Sequence, residues 1–217
     1  MVGFHTQVPF FPNSTDDTHC FQASLKMVLK YFIPDKDFDF AELDKVTAKV
    51  EGKGTWPMAG CLWLKKQNFE ITIIEIFDYL RFSTEKEKYL LEFYDPETAK
   101  YQIENSDLEQ ETKLAVEFEK AISVQKRLPT IDDIKELLIE GFVVICLVNS
   151  KKLNGKDGYI GHFVVINGFN KESFYLHDPG LPSIINREVP IKIFSQAWFS
   201  PNSNAANIMA FKLKTKF

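Results

Sequence analysis

Cys20 stands where a thiol can act as a nucleophile, at the start of a segment with helical apolar spacing. The apolar positions that recur at this spacing are Phe21, Leu25, Val28, Leu29 and Phe32. Asp17 or Thr18 is expected to cap the helix. Free backbone N–H groups and the positive dipole end of a first turn lower a thiol pKa from about 8.5 toward neutrality. We therefore predict a nucleophile; the alternative is an inert core cysteine.

A histidine and an aspartate follow in a predicted β-hairpin over residues 161–180. With the turn centred near Asn170, residues whose numbers sum to about 340 face each other, pairing Ile166 with Phe174. The same register places His162 opposite Asp178, with Cβ atoms roughly 5 Å apart. The alternatives are a sheet histidine without a catalytic role and an Asp-Pro-Gly turn.

Together the three residue types carry out acyl chemistry on a carbonyl. The imidazole takes the thiol proton, the carboxylate orients the ring, and N–H groups at the helix start can meet the oxyanion. We expect no cofactor. A metal site at Cys20, His19 and His177 lacks ligand spacing, and both of these histidines are predicted to point away from the site.

Four short motifs occur in a fixed order along the chain. They are Val8-Pro9-Phe10-Phe11, the run from Asp17 to Cys20 continuing through Ala23-Ser24-Leu25, Gly161-His162-Phe163-Val164-Val165, and His177-Asp178-Pro179. Together they resemble the bacteriocin-processing (double-glycine leader) cysteine peptidases and their peptidase-like relatives. This resemblance implies an α+β, papain-like fold in which a helical bundle carrying the cysteine helix packs on an antiparallel β-sheet. It also implies catalytic roles for Cys20, His162 and Asp178.

The sequence departs from the resembled family beside the cysteine. The family usually has Cys-Gly-Pro where this chain has Cys20-Phe21-Gln22, which implies a differently shaped substrate groove. The family's oxyanion glutamine falls at Asn13 when the Val8-Pro9 lead-in is matched. Asn13 is therefore the expected oxyanion donor, with Gln7 and Gln22 as substitutes.

Other elements must position these groups, and apolar periodicity with Pro and Gly breakers predicts them. They are helices near 40–50, 57–64, 130–140 and 193–198, and strands near 69–76, 142–148 and 208–213. The strand near 142–148 is apolar throughout, which predicts a central strand covered on both faces, with Cys146 in the core.

Residues 81–128 are rich in glutamate and lysine, with apolar positions at helical spacing. This pattern predicts a helical insertion of exposed amphipathic helices within a single domain spanning residues 1–217. The simplest interpretation is a solvated helical face. An insertion of this size can also cap the cleft.

Composition limits the classes of binding partner and the cellular compartments that we expect for this protein. The 217 residues carry a net charge of −4 with both signs interleaved, so we expect no nucleic-acid surface. The three cysteines are widely spaced, which disfavours a disulfide framework or a zinc site. No apolar run approaches the roughly 20 residues of a membrane span, and residues 1–13 lack a signal-peptide pattern. We expect a cytoplasmic protein without membrane contact.

The predicted function is a cysteine peptidase that cleaves a peptide or amide bond of a peptide or protein through a thioester. An acyl or peptidyl transferase that uses the same thioester is the nearest alternative. A peptidase-like binding module that has lost its chemistry is an alternative from another class. The sequence predicts no oligomeric state.

Overall fold

A computed structural model describes residues 3–214, in which helices surround one eight-stranded sheet. The helices are α1 (Cys20–Phe32), α2 (Phe40–Val46), α3 (Met58–Lys66), α4 (Tyr79–Glu85), α5 (Glu87–Phe93), α6 (Pro96–Asn105), α7 (Leu108–Ala121), α8 (Ile131–Ile139), α9 (Ser150–Leu153) and α10 (Ile191–Trp198). The strands are β1 (Phe4–His5), β2 (Phe69–Ile74), β3 (Val124–Gln125), β4 (Val143–Asn149), β5 (Gly161–Phe169), β6 (Ser173–Asp178), β7 (Ile184–Pro190) and β8 (Ile208–Leu213). None of the helices within residues 3–214 combines the length and apolarity needed to cross a bilayer.

The sheet runs in the order β3-β2-β8-β4-β5-β6-β7, and β1 adds to β5. Strands β2 and β3 pair in parallel, and the other pairs are antiparallel. Strand β4 lies between β8 and β5. Val143 and Ile145 face the core that contains α1, whereas Val144 and Cys146 face the core that contains α8 and α10. The predicted central strand with a buried Cys146 is therefore confirmed.

Helix α1 packs its apolar stripe against β5, so that Cys20 is held at the edge of the sheet. The Phe21 and Phe163 rings lie 5.0 Å apart between centroids. The predicted cap is wrong, because the residue before the helix is His19 and its side chain makes no capping bond. Asp17 instead adopts a positive φ of 57° within the preceding turn.

The hairpin forms, but its register differs from the predicted one. Phe169 pairs with Phe174 across the turn, and Ile166 pairs with Leu176 rather than with Phe174. An irregularity at Asn167, between Ile166 and Gly168, adds one residue to β5. Beyond this irregularity the total shift is two residues, which preserves the face of each side chain there because side chains alternate with a period of two. His162 and Asp178 remain on one face as diagonal neighbours.

Residues 81–128 are mostly helical, and the expectation of exposed helices is wrong for their apolar faces. The side chains of Phe82, Tyr89, Leu90 and Phe118 are buried in the same core as α1. The composition misleads because the charged residues that dominate it form the outer faces of short amphipathic helices. That this segment is an insertion relative to other family members stays a prediction.

Candidate active site

The structure brings Cys20, His162 and Asp178 together at one end of a cleft. The His162 Nε2 atom lies 2.8 Å from Asp178 Oδ1, and both side chains are buried. Cys20 lines the same cleft as His162 and Asp178, and the proximity of its thiol raises the pKa of the imidazole. Since Asp178 engages Nε2, Nδ1 is the ring nitrogen left for the thiol. Strand β5 supplies the base, β6 the acid and the first turn of α1 the thiol.

The charges of this group favour an ionised pair. Burial lowers the pKa of His162, but the hydrogen bond to Asp178 and the nearby Cys20 thiol raise it well above its usual value. Burial alone raises the pKa of Asp178, whereas hydrogen bonds from His162, Arg187 and the Gly180 backbone bring it below the usual range. The ring is therefore stabilised as an imidazolium next to a carboxylate.

Arg187 and Gly180 support Asp178, and the sequence reasoning missed both. Arg187 Nη1 donates to Asp178 Oδ2 at 2.8 Å, and Gly180 N donates to Oδ1 at 3.1 Å. A Cβ added to Gly180 would lie 3.1 Å from Asp178 Oδ1 and 3.2 Å from the His162 ring. A side chain at this position would therefore push Asp178 or His162 away by a few tenths of an ångström. No sequence signal identified Arg187, because its partner is fixed only when β7 pairs with β6.

Asn13 organises the loop that precedes Cys20. Its Nδ2 donates to Asp17 at 2.8 Å, and its Oδ1 accepts the backbone N–H groups of Ser14 and His19. Its own backbone N–H donates to Pro179 O at 2.8 Å. Asn13 therefore ties the loop before the thiol to the turn after Asp178. Its role as an oxyanion donor stays a prediction.

The two substitute donors lie away from the thiol. Gln22 is buried and donates to the hydroxyls of Thr47 and Thr55, and Gln7 is exposed in the lead-in. A nearer donor is the backbone N–H of Cys20, which has no helical acceptor because it lies in the first turn.

The other histidines and cysteines lie outside this group. His19 contacts Asp16 and Asp44, and His177 hydrogen-bonds Val8 O at 2.8 Å. The other two cysteines, Cys61 and Cys146, are buried free thiols. Within residues 3–214, no group of three or more His, Cys, Asp or Glu side chains is arranged to hold a metal ion.

A cleft of about 530 Å³ opens beside Cys20. One wall comes from the loop before α3, including Trp56, and the opposite wall from β5 and the segment after β6. Helix α6 adds Tyr101, and burial and the proximity of Cys20 raise the pKa of its phenol. The cleft is therefore built in part by the helices of residues 81–128.

The model of the Peptidase_C39 like family matches residues 5–205 of the chain. The chain belongs to this family. No curated protein matches the sequence significantly. The Peptidase_C39 like assignment confirms the resemblance stated for the four motifs.

Solved structures similar to this Peptidase_C39 like chain support the fold. The peptidase domain of Streptococcus ComA, a bi-functional ABC transporter involved in a quorum-sensing pathway, aligns with a TM-score of 0.51 at 12% identity, covering 96% of this chain and 100% of that domain. A double-glycine motif protease from an AMS/PCAT transporter, in complex with the leader peptide, aligns with a TM-score of 0.51 at 16% identity, covering 97% and 95%. At these identities the likeness shows the fold alone. The predicted α+β, papain-like fold is confirmed.

Proposed function

We propose that this Peptidase_C39 like protein is a cysteine peptidase that hydrolyses a peptide bond through a thioester at Cys20. The observation that carries the proposal is the buried His162–Asp178 pair, which lines one cleft together with Cys20 at the start of α1. A peptide substrate is supported by the AMS/PCAT protease, whose structure contains a leader peptide. A cytoplasmic location stays a prediction.

Each residue has a defined part in the reaction. His162 accepts the Cys20 proton, and the thiolate attacks the carbonyl carbon while the N–H of Cys20 meets the oxyanion. The imidazolium gives its proton to the departing amine as the C–N bond breaks, which leaves a thioester. Water, deprotonated by His162, attacks the thioester and releases the acid and the thiol. Asp178 keeps the ring oriented and stabilises its charged form.

Thiol chemistry and turnover test the proposal together. Iodoacetamide should label native Cys20 faster than free cysteine below neutral pH, because the imidazolium stabilises the thiolate. Cys61 and Cys146 should stay unlabelled, since burial raises the pKa of both thiols. Intact mass with a Cys20→Ser control locates the label.

Cleavage of a peptide library is the second measurement. Cys20→Ala and His162→Ala should abolish turnover, whereas Asp178→Asn should keep measurable turnover because an amide still orients the ring. Slow labelling without turnover would favour a binding module. Fast labelling with peptide products formed only when an amine is added would favour the transferase. Equal turnover by wild type and Cys20→Ala would overturn the mechanism.

A further inference from the structure

The cleft extends beyond Cys20 to a second region that the proposed reaction does not use. There it is bounded by Glu75, which follows β2 directly, and by the aromatic side chains Trp56, Phe77, Phe93 and Tyr94. The Phe77 ring lies 5.2 Å from the Phe93 ring and 5.9 Å from the Trp56 ring, measured between centroids. Aromatic rings and the carboxyl group of Glu75 therefore lie together in the lining of this part of the cleft.

Glu75 has a single described partner. The Tyr79 hydroxyl donates to its Oε1 at 2.5 Å, and the Glu75 side chain lines the cleft. The titratable groups that face Glu75 are Tyr79, Tyr89, Tyr94 and Cys61. All four are neutral near pH 7 because burial raises the pKa of each. Within residues 3–214, Glu75 forms no ion pair, although Lys53, Lys156 and Arg187 line other parts of the same cleft.

An ionised carboxylate in apolar surroundings is costly unless a cation pairs with it. Aromatic faces attract cations and also bury the methylene chain of lysine or arginine. A basic side chain therefore suits both the aromatic rings and the carboxyl group in this part of the cleft, whereas an acidic side chain would be repelled by Glu75.

We propose that the Glu75 end of the cleft is a specificity subsite for a lysine or arginine side chain of the peptide substrate. The carbon chain lies against Phe77, Phe93 and Tyr94, and the charged end meets Glu75 and the Tyr79 hydroxyl. This proposal rests on the proposed peptidase function, because Cys20 and Glu75 line the same cleft.

Peptides that differ at one position test the subsite. Lysine, arginine, citrulline, norleucine and glutamate are placed in turn at each position around the scissile bond. Lysine or arginine at one position should raise kcat/KM over norleucine and citrulline by about 10- to 100-fold. Glu75→Gln should remove this preference, and Glu70→Gln, an exposed glutamate on β2, should keep it.

The pH dependence gives a second readout. Burial raises the pKa of Glu75 to about 7, although the hydrogen bond from Tyr79 opposes the rise. Protonation removes the charge that recognises the cation, so the preference for lysine should weaken as the pH falls below about 7. A preference that is independent of pH would contradict recognition by Glu75.

Binding to Cys20→Ala protein separates this proposal from the peptidase function. Calorimetry should show tighter binding of the lysine peptide than of the norleucine peptide, and Glu75→Gln should abolish the difference. Selective binding without cleavage by wild type would retain the subsite and overturn the peptidase function. Cleavage without a basic preference, or equal binding of both peptides, would overturn the subsite alone.

Discussion

Asp178 uses its two carboxylate oxygens for two different partners, and this division makes Arg187 a positioning residue. Oδ1 meets His162, and Oδ2 accepts from Arg187 Nη1. Arg187 Nη2 is itself fixed by Leu153 O at 3.1 Å and Asn154 Oδ1 at 2.9 Å. The guanidinium thus links the acid to α9 and its following turn.

Arg187→Met should lower kcat about 10-fold, because Asp178 loses a hydrogen bond that holds it in place for His162. The loss of the cation should also raise the pKa of Asp178, so the lower limb of the kcat profile should move to higher pH. Steady-state kinetics across pH measure both effects. Lys192→Met, which removes an exposed cation from α10, is the control. An unchanged pH profile would reduce Arg187 to a purely structural role.

Glu111 on α7 is a buried carboxyl group with no described partner for its Oε2 atom. Burial, and secondarily Asp107, raise its pKa to about 8, against a usual value of 4.5. The unfolded chain releases this proton near its usual pKa, whereas the folded protein keeps it. The group therefore lowers the free energy of unfolding progressively as pH rises from about 4.5 to 8.

Glu111→Gln should remove the pH-dependent decrease in the free energy of unfolding. Relative to wild type, its free energy of unfolding should increase between about pH 5 and pH 9 by on the order of 4 kcal/mol. Urea denaturation at both pH values measures the difference. Glu117→Gln, an exposed position on the same helix, should show no such pH dependence. Parallel curves for Glu111→Gln and wild type would contradict the raised pKa.

At the scale of elements, the hairpin shows what the sequence could and could not predict. Alternation of apolar residues predicted both strands, and the face shared by His162 and Asp178 followed from it. The exact partners did not follow, because the turn and the extra residue at Asn167 depend on pairing with neighbouring strands. Two register errors combined into an even shift, so the prediction of proximity was correct although the pairing was wrong.

The same limit explains the missed residues. Neither Arg187 nor Glu75 belongs to a sequence motif. Each was recognised only from its partial burial next to a specific partner, Asp178 for Arg187 and Tyr79 for Glu75. Burial of Arg187 depends on β7 pairing with β6, and burial of Glu75 depends on α4 and α5 covering the end of β2. Local periodicity therefore predicted most helices and strands, but it did not predict which charged side chains they enclose.

Strand β4 has a position in the sheet that makes Cys146 a sensitive test of the core. Cys146 pairs with Val164 of β5 and is buried in the core that contains α8 and α10. Cys146→Asp should prevent folding, because an unpaired buried charge costs several kcal/mol. Circular dichroism and thermal melts measure the loss, with Cys146→Ala as the smaller-volume control. A folded Cys146→Asp protein with a normal melting temperature would contradict this placement.

At the scale of the whole molecule, helices α4–α7 contribute side chains both to the core that contains α1 and to the lining of the cleft. Trp56 Nε1 donates to Ser106 Oγ at 2.8 Å, and Gly54 N donates to Asn105 O at 2.7 Å. These bonds fix the loop before α3 to the end of α6. The segment that was predicted to be an insertion of exposed helices thus supports one wall of the cleft.

Replacement of residues 81–128 by a short glycine-serine linker should therefore unfold the protein, because Phe82, Tyr89 and Phe118 would no longer fill the core that contains α1. Substrate choice must be tested by a smaller change. Tyr101→Ala should keep the fold and fast Cys20 labelling while altering the cleavage profile, since Tyr101 lines the cleft near the thiol. Leu91→Ala, an exposed position on α5, is the control. A folded linker variant would show that the segment is dispensable for the core, and an unchanged Tyr101→Ala profile would show that α6 does not select the substrate.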